Sequence, residues 1–303
     1  MSIDLATVDE LCRKLDAVDY LADQGLATAL FCAARLPQPL LLEGEAGVGK
    51  TEAAKALAAA IGTPLVRLQC YEGIDAAEAL YEWNYSRQLL GIRAAEASGK
   101  PLDSDDLFTA EYLVARPLLK AIEHQGPYPV VLLIDEVDRS DDEFEAFLLE
   151  LLADYQVTIP ELGTIKAEVP PVTILTSNRT REVHDAVRRR CFYHWVDYPS
   201  SEREKQILAL KVPEAPAELN RQIVGFIQSL RQMDLYKNPG IAESINWAQA
   251  LTSLNAVALD PHKVDSTLGT LLKYQDDISR IQGSEAARLL AKVKSEAGTV
   301  AGG

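Results

Sequence analysis

The chain has 303 residues, 48% of them apolar and 25% charged, enough for the core of one large domain or two ordinary ones. Its formal net charge of −15 sets the average surface against phosphate backbones and anionic lipid, which disfavours duplex DNA as the main partner unless a local basic pore escapes that average. Four scattered cysteines without a C-x-x-C pair, no secretory signal and no apolar run near the roughly 18 residues that span a bilayer predict a cytoplasmic protein without disulfides.

In chain order, five short apolar runs read as buried parallel strands: residues 39–42 (PLLL), 65–70 (LVRLQC), 130–134 (VVLLI), 172–176 (VTILT) and 192–196 (FYHWV). Between them lie helical stretches. Residues 51–61 (TEAAKALAAAI) are strong helix formers stopped by Gly62 and Pro64, and residues 141–154 carry acids in their first turn and Phe144, Phe147, Leu148, Leu151 and Leu152 along one face. Alternating strands and helices predict a doubly wound α/β domain over residues 1–199. Past Pro199 the strand signal ends. Residues 201–211, 218–233, 241–257 and 265–293 read as amphipathic helices, giving an all-α domain over 200–297 and a disordered tail at 298–303.

The strongest local signal is Gly44-Glu45-Ala46-Gly47-Val48-Gly49-Lys50-Thr51, which fits G-x-x-x-x-G-K-[ST] between a strand and a helix. Glycines let successive N–H groups point at phosphates, and the helix start adds partial positive charge. In such a loop Lys50 reaches the β- and γ-phosphates of ATP and the Thr51 hydroxyl takes a Mg²⁺ position. The third strand then ends in Asp135 and Glu136. Asp135 would emerge at the carboxyl edge of the sheet to hold Mg²⁺, and Glu136 would be the base acting on the attacking water. No N-K-x-D guanine reader is present, and a Glu directly after the metal Asp suits hydrolysis better than phosphoryl transfer to a nucleoside. Cys191 and His194 fall on opposite faces of their strand, so a zinc site there is not expected.

These motifs resemble the AAA+ superfamily, and within it the MoxR branch and its CoxD-type ATPases, which accompany carbon monoxide dehydrogenase and related molybdenum hydroxylases. The resemblance runs from Tyr20 to Leu251 and includes EGEAGVGKTE (43–52), RLQCYEG (67–73), YEWN (81–84), LIDEVDR (133–139), FEAFLLE (144–150), QVTIP (156–160), TSNRTRE (176–182) and RRRCFYHWVDYP (188–199). It implies a P-loop AAA+ domain followed by a helical lid. It implies that Asn178 is a polar sensor of the γ-phosphate or attacking water. Arg190, or next Arg189, would be an arginine finger that serves a neighbouring subunit, with Arg188 third. Residues 156–170 would form a pre-sensor hairpin and residues 78–96 an insert. Gln69 or Tyr71 would restrain Glu136. One departure stands out: related lids carry an arginine at a helix start, whereas the matching stretch here, Gly240 to Trp247, has none. The resemblance further implies a homo-oligomeric ring, a hexamer, with a von Willebrand A domain adaptor and a metalloenzyme client under maturation. The alternatives are a nucleic-acid motor or loader and a nucleotide-dependent scaffold with negligible turnover.

Overall fold

The computed structural model describes residues 3, 5–99 and 103–300. The chain divides into two compact units: residues 1–18, 22–44 and 50–195 in the first, and residues 19–21, 45–49 and 196–303 in the second. Among the described residues no helix is long and apolar enough to cross a membrane.

The first unit is built on a five-stranded sheet of order β2-β5-β8-β1-β9, with β1 (Leu40–Glu43), β2 (Leu65–Gln69), β5 (Val131–Asp135), β8 (Val172–Ser177) and β9 (Phe192–Trp195). Every pairing in it is parallel. The three central strands β5, β8 and β1 are buried along their whole length, as unbroken apolar runs require when helices cover both faces. All five strands lie within one residue of the runs read from the sequence. Helices α1 (Val8–Asp16) and α2 (Gln24–Arg35) precede the sheet; the sequence reading places no element there. Their starts are capped by Thr7 and Asp23, whose side chains accept from Glu10 N–H and Leu26 N–H. Helix α3 (Lys50–Ile61) follows β1, and α7 (Asp142–Asp154) follows β5 with Asp141 as its cap.

Between β2 and β5 the chain makes α4 (Ala76–Leu80), β3 (Tyr81–Trp83), α5 (Tyr85–Ala97), β4 (Leu113–Ala115) and α6 (Pro117–Ile122), with β3 and β4 paired antiparallel around α5. The stretch 78–96 expected to hold an insert lies inside this segment, which extends beyond it on both sides. The expected hairpin is also present: β6 (Gln156–Ile159) pairs antiparallel with β7 (Gly163–Lys166), and Gly163 has φ +83° where the chain leaves the turn. The short helix α8 (Asp185–Arg190) leads into β9.

The second unit is helical: α9 (Ser201–Lys211), α10 (Ala217–Arg231), α11 (Ile241–Ser253), α12 (Pro261–Leu271), α13 (Gln275–Ile281) and α14 (Ser284–Val300). The single helix expected over 265–293 is three. Leu272 and Tyr274 are extended, which ends α12, and Gly283 with φ +81° separates α13 from α14. Where the sequence reading begins a tail at 298, α14 continues through Val300; residues 301–303 lie outside the described residues. The core of this unit packs Phe226 against Trp247, with ring centroids 5.5 Å apart. A buried carboxylate, Glu204, ties α9 to α10 and α11. It accepts from both terminal nitrogens of Arg231 at 2.8 Å, from Gln228 Nε2 at 2.8 Å and from Ser244 Oγ at 2.6 Å. A buried charge persists only when paired and hydrogen-bonded in this way.

Candidate active site

Three strand ends, β2, β5 and β8, and the start of α3 converge in the first unit. The apolar run of β5 delivers Asp135 to its last position, where the side chain is 2% exposed. One carboxylate oxygen, Oδ1, accepts from Thr51 Oγ1 at 2.9 Å and from Thr176 Oγ1 at 2.6 Å. The other, Oδ2, accepts from Arg67 Nε at 2.9 Å and Nη2 at 2.6 Å. Thr51 therefore stands beside Asp135, as the sequence reading requires. A carboxylate and a hydroxyl at this separation are hard oxygen ligands. They suit Mg²⁺, which takes one or two protein oxygens and fills its remaining positions with water and phosphate. Such a site needs no larger ligand cluster, and no group of three His, Cys, Asp or Glu poised for a metal occurs among the described residues.

Glu136 leaves the strand in the left-handed region, φ +56° and ψ +51°, which is uncommon for a residue with a Cβ. Thr176 fixes this turn by accepting the Glu136 N–H at 2.9 Å while donating to Asp135. The half-buried Glu136 carboxylate accepts from Asn178 Nδ2 at 3.1 Å on one oxygen and from Gln69 Nε2 at 3.0 Å on the other. Of the two residues proposed to restrain Glu136, Gln69 touches it. Tyr71 lies beyond the strand and pairs with Glu78.

Asn178 sits just past β8, and the following Arg179 is again left-handed, φ +56°. Asp138, 2% exposed, holds this turn: Oδ1 accepts from Asn178 N–H at 3.2 Å, and Oδ2 from Thr180 N–H at 2.8 Å and Thr180 Oγ1 at 2.7 Å. Further along, the buried Glu145 accepts from His184 N–H at 2.7 Å and pairs with Arg181. Two acids from the segment after β5 thus anchor the stretch from Asn178 to α8.

The three arginines of α8 have different fates. Arg188 turns inward, donating to the buried Glu43 at 2.9 Å and lying over the Tyr193 ring. Arg189 pairs with Asp185 one turn back on the same helix. Arg190 is exposed and donates to the Leu149 carbonyl. Arg188, the third choice for a finger, is committed to Glu43, which leaves Arg190 and Arg189 on the surface.

The loop from β1 to α3 passes through left-handed φ at Gly47 (+80°) and Gly49 (+100°), so glycine is needed at both. Lys50 is buried and donates to the Gly44 carbonyl at 2.8 Å. Within the second unit, the Gly47 carbonyl accepts from Ala242 N–H at 3.1 Å. A Cβ on Gly240 would fall 2.7 Å from that carbonyl, so only glycine fits. Glu243 caps the same helix start, accepting from Gly240 N–H at 3.0 Å, and a Cβ on Gly47 would meet its carboxylate at 2.6 Å. An acid thus approaches the loop from the stretch where related lids carry an arginine.

Cys70, just after β2, is 1% exposed; burial, aided by the Asp135 and Asp138 carboxylates, pushes its thiol up to about 12. Burial raises Cys191 to about 12 as well. Both stay protonated at neutral pH and are poor nucleophiles. The cluster is built from carboxylates, hydroxyls, amides and a guanidinium group. Arg67, Thr176 and Asp138 belong to it although the sequence reading does not single them out. Arg67 leaves a trace there as a charge inside an otherwise uncharged strand run.

The family model for the AAA domain, dynein-related subfamily, matches residues 39–191. An uncharacterised protein of Staphylococcus haemolyticus is 26% identical over 236 residues, covering 76% of this chain and 80% of its own length. One of Staphylococcus aureus (strain NCTC 8325) is 26% identical over 235 residues, covering 75% and 80%. Among solved structures, a RuvB mutant of Thermotoga maritima superposes with a TM-score of 0.46 at 18% identity, covering 91% of this chain and 74% of its own. Domain III of the Thermotoga maritima replication initiation protein DnaA gives 0.47 at 14%, covering 85% and 96%.

Proposed function

The chain belongs to the AAA domain family, dynein-related subfamily, and from that premise we propose that it binds ATP with Mg²⁺ and hydrolyses it to remodel a protein client. The observation that carries this reading is a connected set of hydrogen bonds: Thr51 to Asp135, Asn178 to Glu136, and Thr176 bridging Asp135 to the Glu136 N–H. The loop from Gly44 to Thr51 supplies backbone N–H groups and Lys50 for the phosphates. Magnesium, held by Asp135 and Thr51, would offset the charge on the phosphate oxygens. Glu136 takes a proton from the attacking water, and Asn178, which already contacts it, orients that water and the γ-phosphate. Gln69 holds the second Glu136 oxygen and so restrains the base until the site is loaded.

Arg190, exposed at the end of α8, is the side chain we assign to a neighbouring subunit's phosphate in a homo-oligomeric ring, a hexamer, with Arg189 as its substitute. A guanidinium there stabilises charge that builds up only in the transition state. The client is a metalloenzyme, a molybdenum hydroxylase of the carbon monoxide dehydrogenase kind, and the adaptor a von Willebrand A domain protein. The client follows from the resemblance of YEWN and CFYHWVDYP to the CoxD-type branch, and the adaptor from the resemblance to the MoxR branch as a whole. The net charge of −15 weighs against a nucleic-acid motor.

Mixing two inactive variants tests the shared site. Arg190→Ala keeps its phosphate loop, and Lys50→Ala keeps its finger. Neither hydrolyses ATP alone, and a mixed ring regains part of the activity because one subunit lends Arg190 to the other's loop. Mixed rings that form yet stay inactive, with the Arg189→Ala pairing equally silent, would remove the shared site from this reading.

A further inference from the structure

Arg67 is the one charged residue of β2, an edge strand of the sheet. It pairs across the ladder with Leu133, two residues before Gln69, which pairs with Asp135. Side chains two apart on a strand share a face, so a long side chain at 67 can lie along the strand past 69 and reach 135. That is the arrangement found. The guanidinium places Nε and Nη2 on the same Asp135 oxygen, Oδ2, at 2.9 and 2.6 Å, while Nη2 also donates to Gln69 Oε1. The Asp135 side chain is 2% exposed and that of Arg67 47% exposed. A carboxylate so deeply placed needs a cation, whereas a half-exposed guanidinium can leave for water at little cost. The two oxygens of Asp135 are also unequal. Oδ1 is held by the Thr176 hydroxyl at 2.6 Å and the Thr51 hydroxyl at 2.9 Å, whereas Oδ2 takes both Arg67 contacts and only a longer one, 3.2 Å, from Thr51 Oγ1.

We propose that Arg67 is a positioning residue that holds Asp135 when magnesium is absent and competes with the ion for Oδ2, so that it sets the magnesium concentration at which the site loads. This rests on the reading of Asp135 as the magnesium carboxylate. The pairing compensates a buried charge, and an ion binding at Oδ2 must displace the guanidinium. A point cation and a planar guanidinium both satisfy a carboxylate's charge, but neither can do so at the same oxygen lone pairs as the other.

The experiment titrates Mg²⁺ into the purified full chain with a fixed concentration of a fluorescent ADP and reads the midpoint of magnesium-dependent binding. Arg67→Gln removes the charge but keeps a donor, and Arg67→Ala removes both; Arg67→Lys keeps the charge. The midpoint is expected to fall about tenfold in Arg67→Gln and Arg67→Ala, with binding in EDTA within about threefold of wild type. Tenfold corresponds to about 1.4 kcal/mol. Arg67→Lys is expected to stay within about threefold of wild type. Should Arg67→Ala fail to fold, Arg67→Gln carries the test. A midpoint in Arg67→Gln equal to or above wild type overturns the proposal, as does an Arg67→Lys midpoint as low as that of Arg67→Gln. Asp135→Asn separates the two levels of the argument. If it abolishes the magnesium dependence while Arg67→Gln changes nothing, only the role of Arg67 falls; if Asp135→Asn leaves the dependence intact, the metal reading itself falls.

Discussion

Asp138→Ala should slow ATP turnover without weakening ATP binding. Asp138 accepts three hydrogen bonds that together fix the turn carrying Asn178: Asn178 N–H at 3.2 Å, Thr180 N–H at 2.8 Å and Thr180 Oγ1 at 2.7 Å. Leaving a buried donor unsatisfied costs about 1–3 kcal/mol. Here Asn178 is half-buried and Thr180 exposed, so water can reach the freed donors, and the total loss of stability should stay near about 1–3 kcal/mol. The larger consequence is positional. The Asn178 Nδ2 to Glu136 Oε1 bond of 3.1 Å depends on that turn, and a displacement of about 1 Å in a catalytic group can cost roughly 10²-fold. The expected result is a kcat lower by about 10–100-fold, with the ATP Kd within about threefold. Asp138→Asn, which keeps one acceptor oxygen, should fall between the two. The assay pairs steady-state phosphate release with equilibrium nucleotide binding and a thermal melt on the same preparation. If Asp138→Ala turns over at the wild-type rate while Asn178→Ala does not, the turn does not depend on Asp138 and the reasoning fails.

Arg231→Ala should destabilise the helical unit by about 3–5 kcal/mol, because it strips the buried Glu204 of its charge partner, and Glu204→Gln combined with Arg231→Met should recover part of the loss; denaturant unfolding that shifts by under about 1 kcal/mol would show the pair to be dispensable. Cys70 gives a pH dependence. Its folded value, about 12, lies above the ordinary 9.0, so its contribution to stability is full below pH 9 and is lost as the pH rises toward 12. Unfolding free energies measured between pH 8 and 11 should therefore fall more steeply for wild type than for Cys70→Ala, and parallel curves would contradict the assigned burial effect.

Strand ends were the most legible part of the sequence. An apolar run buried on both faces has one reading, and the first polar residue after it must surface at the carboxyl edge. Asp135 is legible for that reason, whereas Asn178, one residue beyond Ser177, is reached only through the family resemblance. Gln69 and Tyr71 could not be separated by pattern alone, since the choice depends on the register that places Gln69 opposite Asp135. Arg67 was hidden for a related reason: periodicity gives the face of a side chain and not how far it reaches along the strand. Thr176 read as one more residue of an apolar run, yet its hydroxyl joins Asp135 to the Glu136 turn. In the helical unit the amphipathic pattern runs on through Leu272 to Tyr274, where neither Gly nor Pro marks the break between α12 and α13. The break is set by tertiary packing, with Leu271, Leu272 and Ile281 all turned into one core.

The proposed hydrolysis depends most directly on Glu136 as the base acting on water. Wild type and Glu136→Gln would each be incubated with ATP and Mg²⁺, freed of unbound nucleotide, quenched in acid, and the bound nucleotide identified by chromatography. Glu136→Gln removes the base and leaves Asp135 and Thr51 in place, so it should carry ATP where wild type carries ADP. Recovery of ADP from Glu136→Gln, formed at the wild-type rate, would contradict the assignment of the base and with it the proposed chemistry of the site.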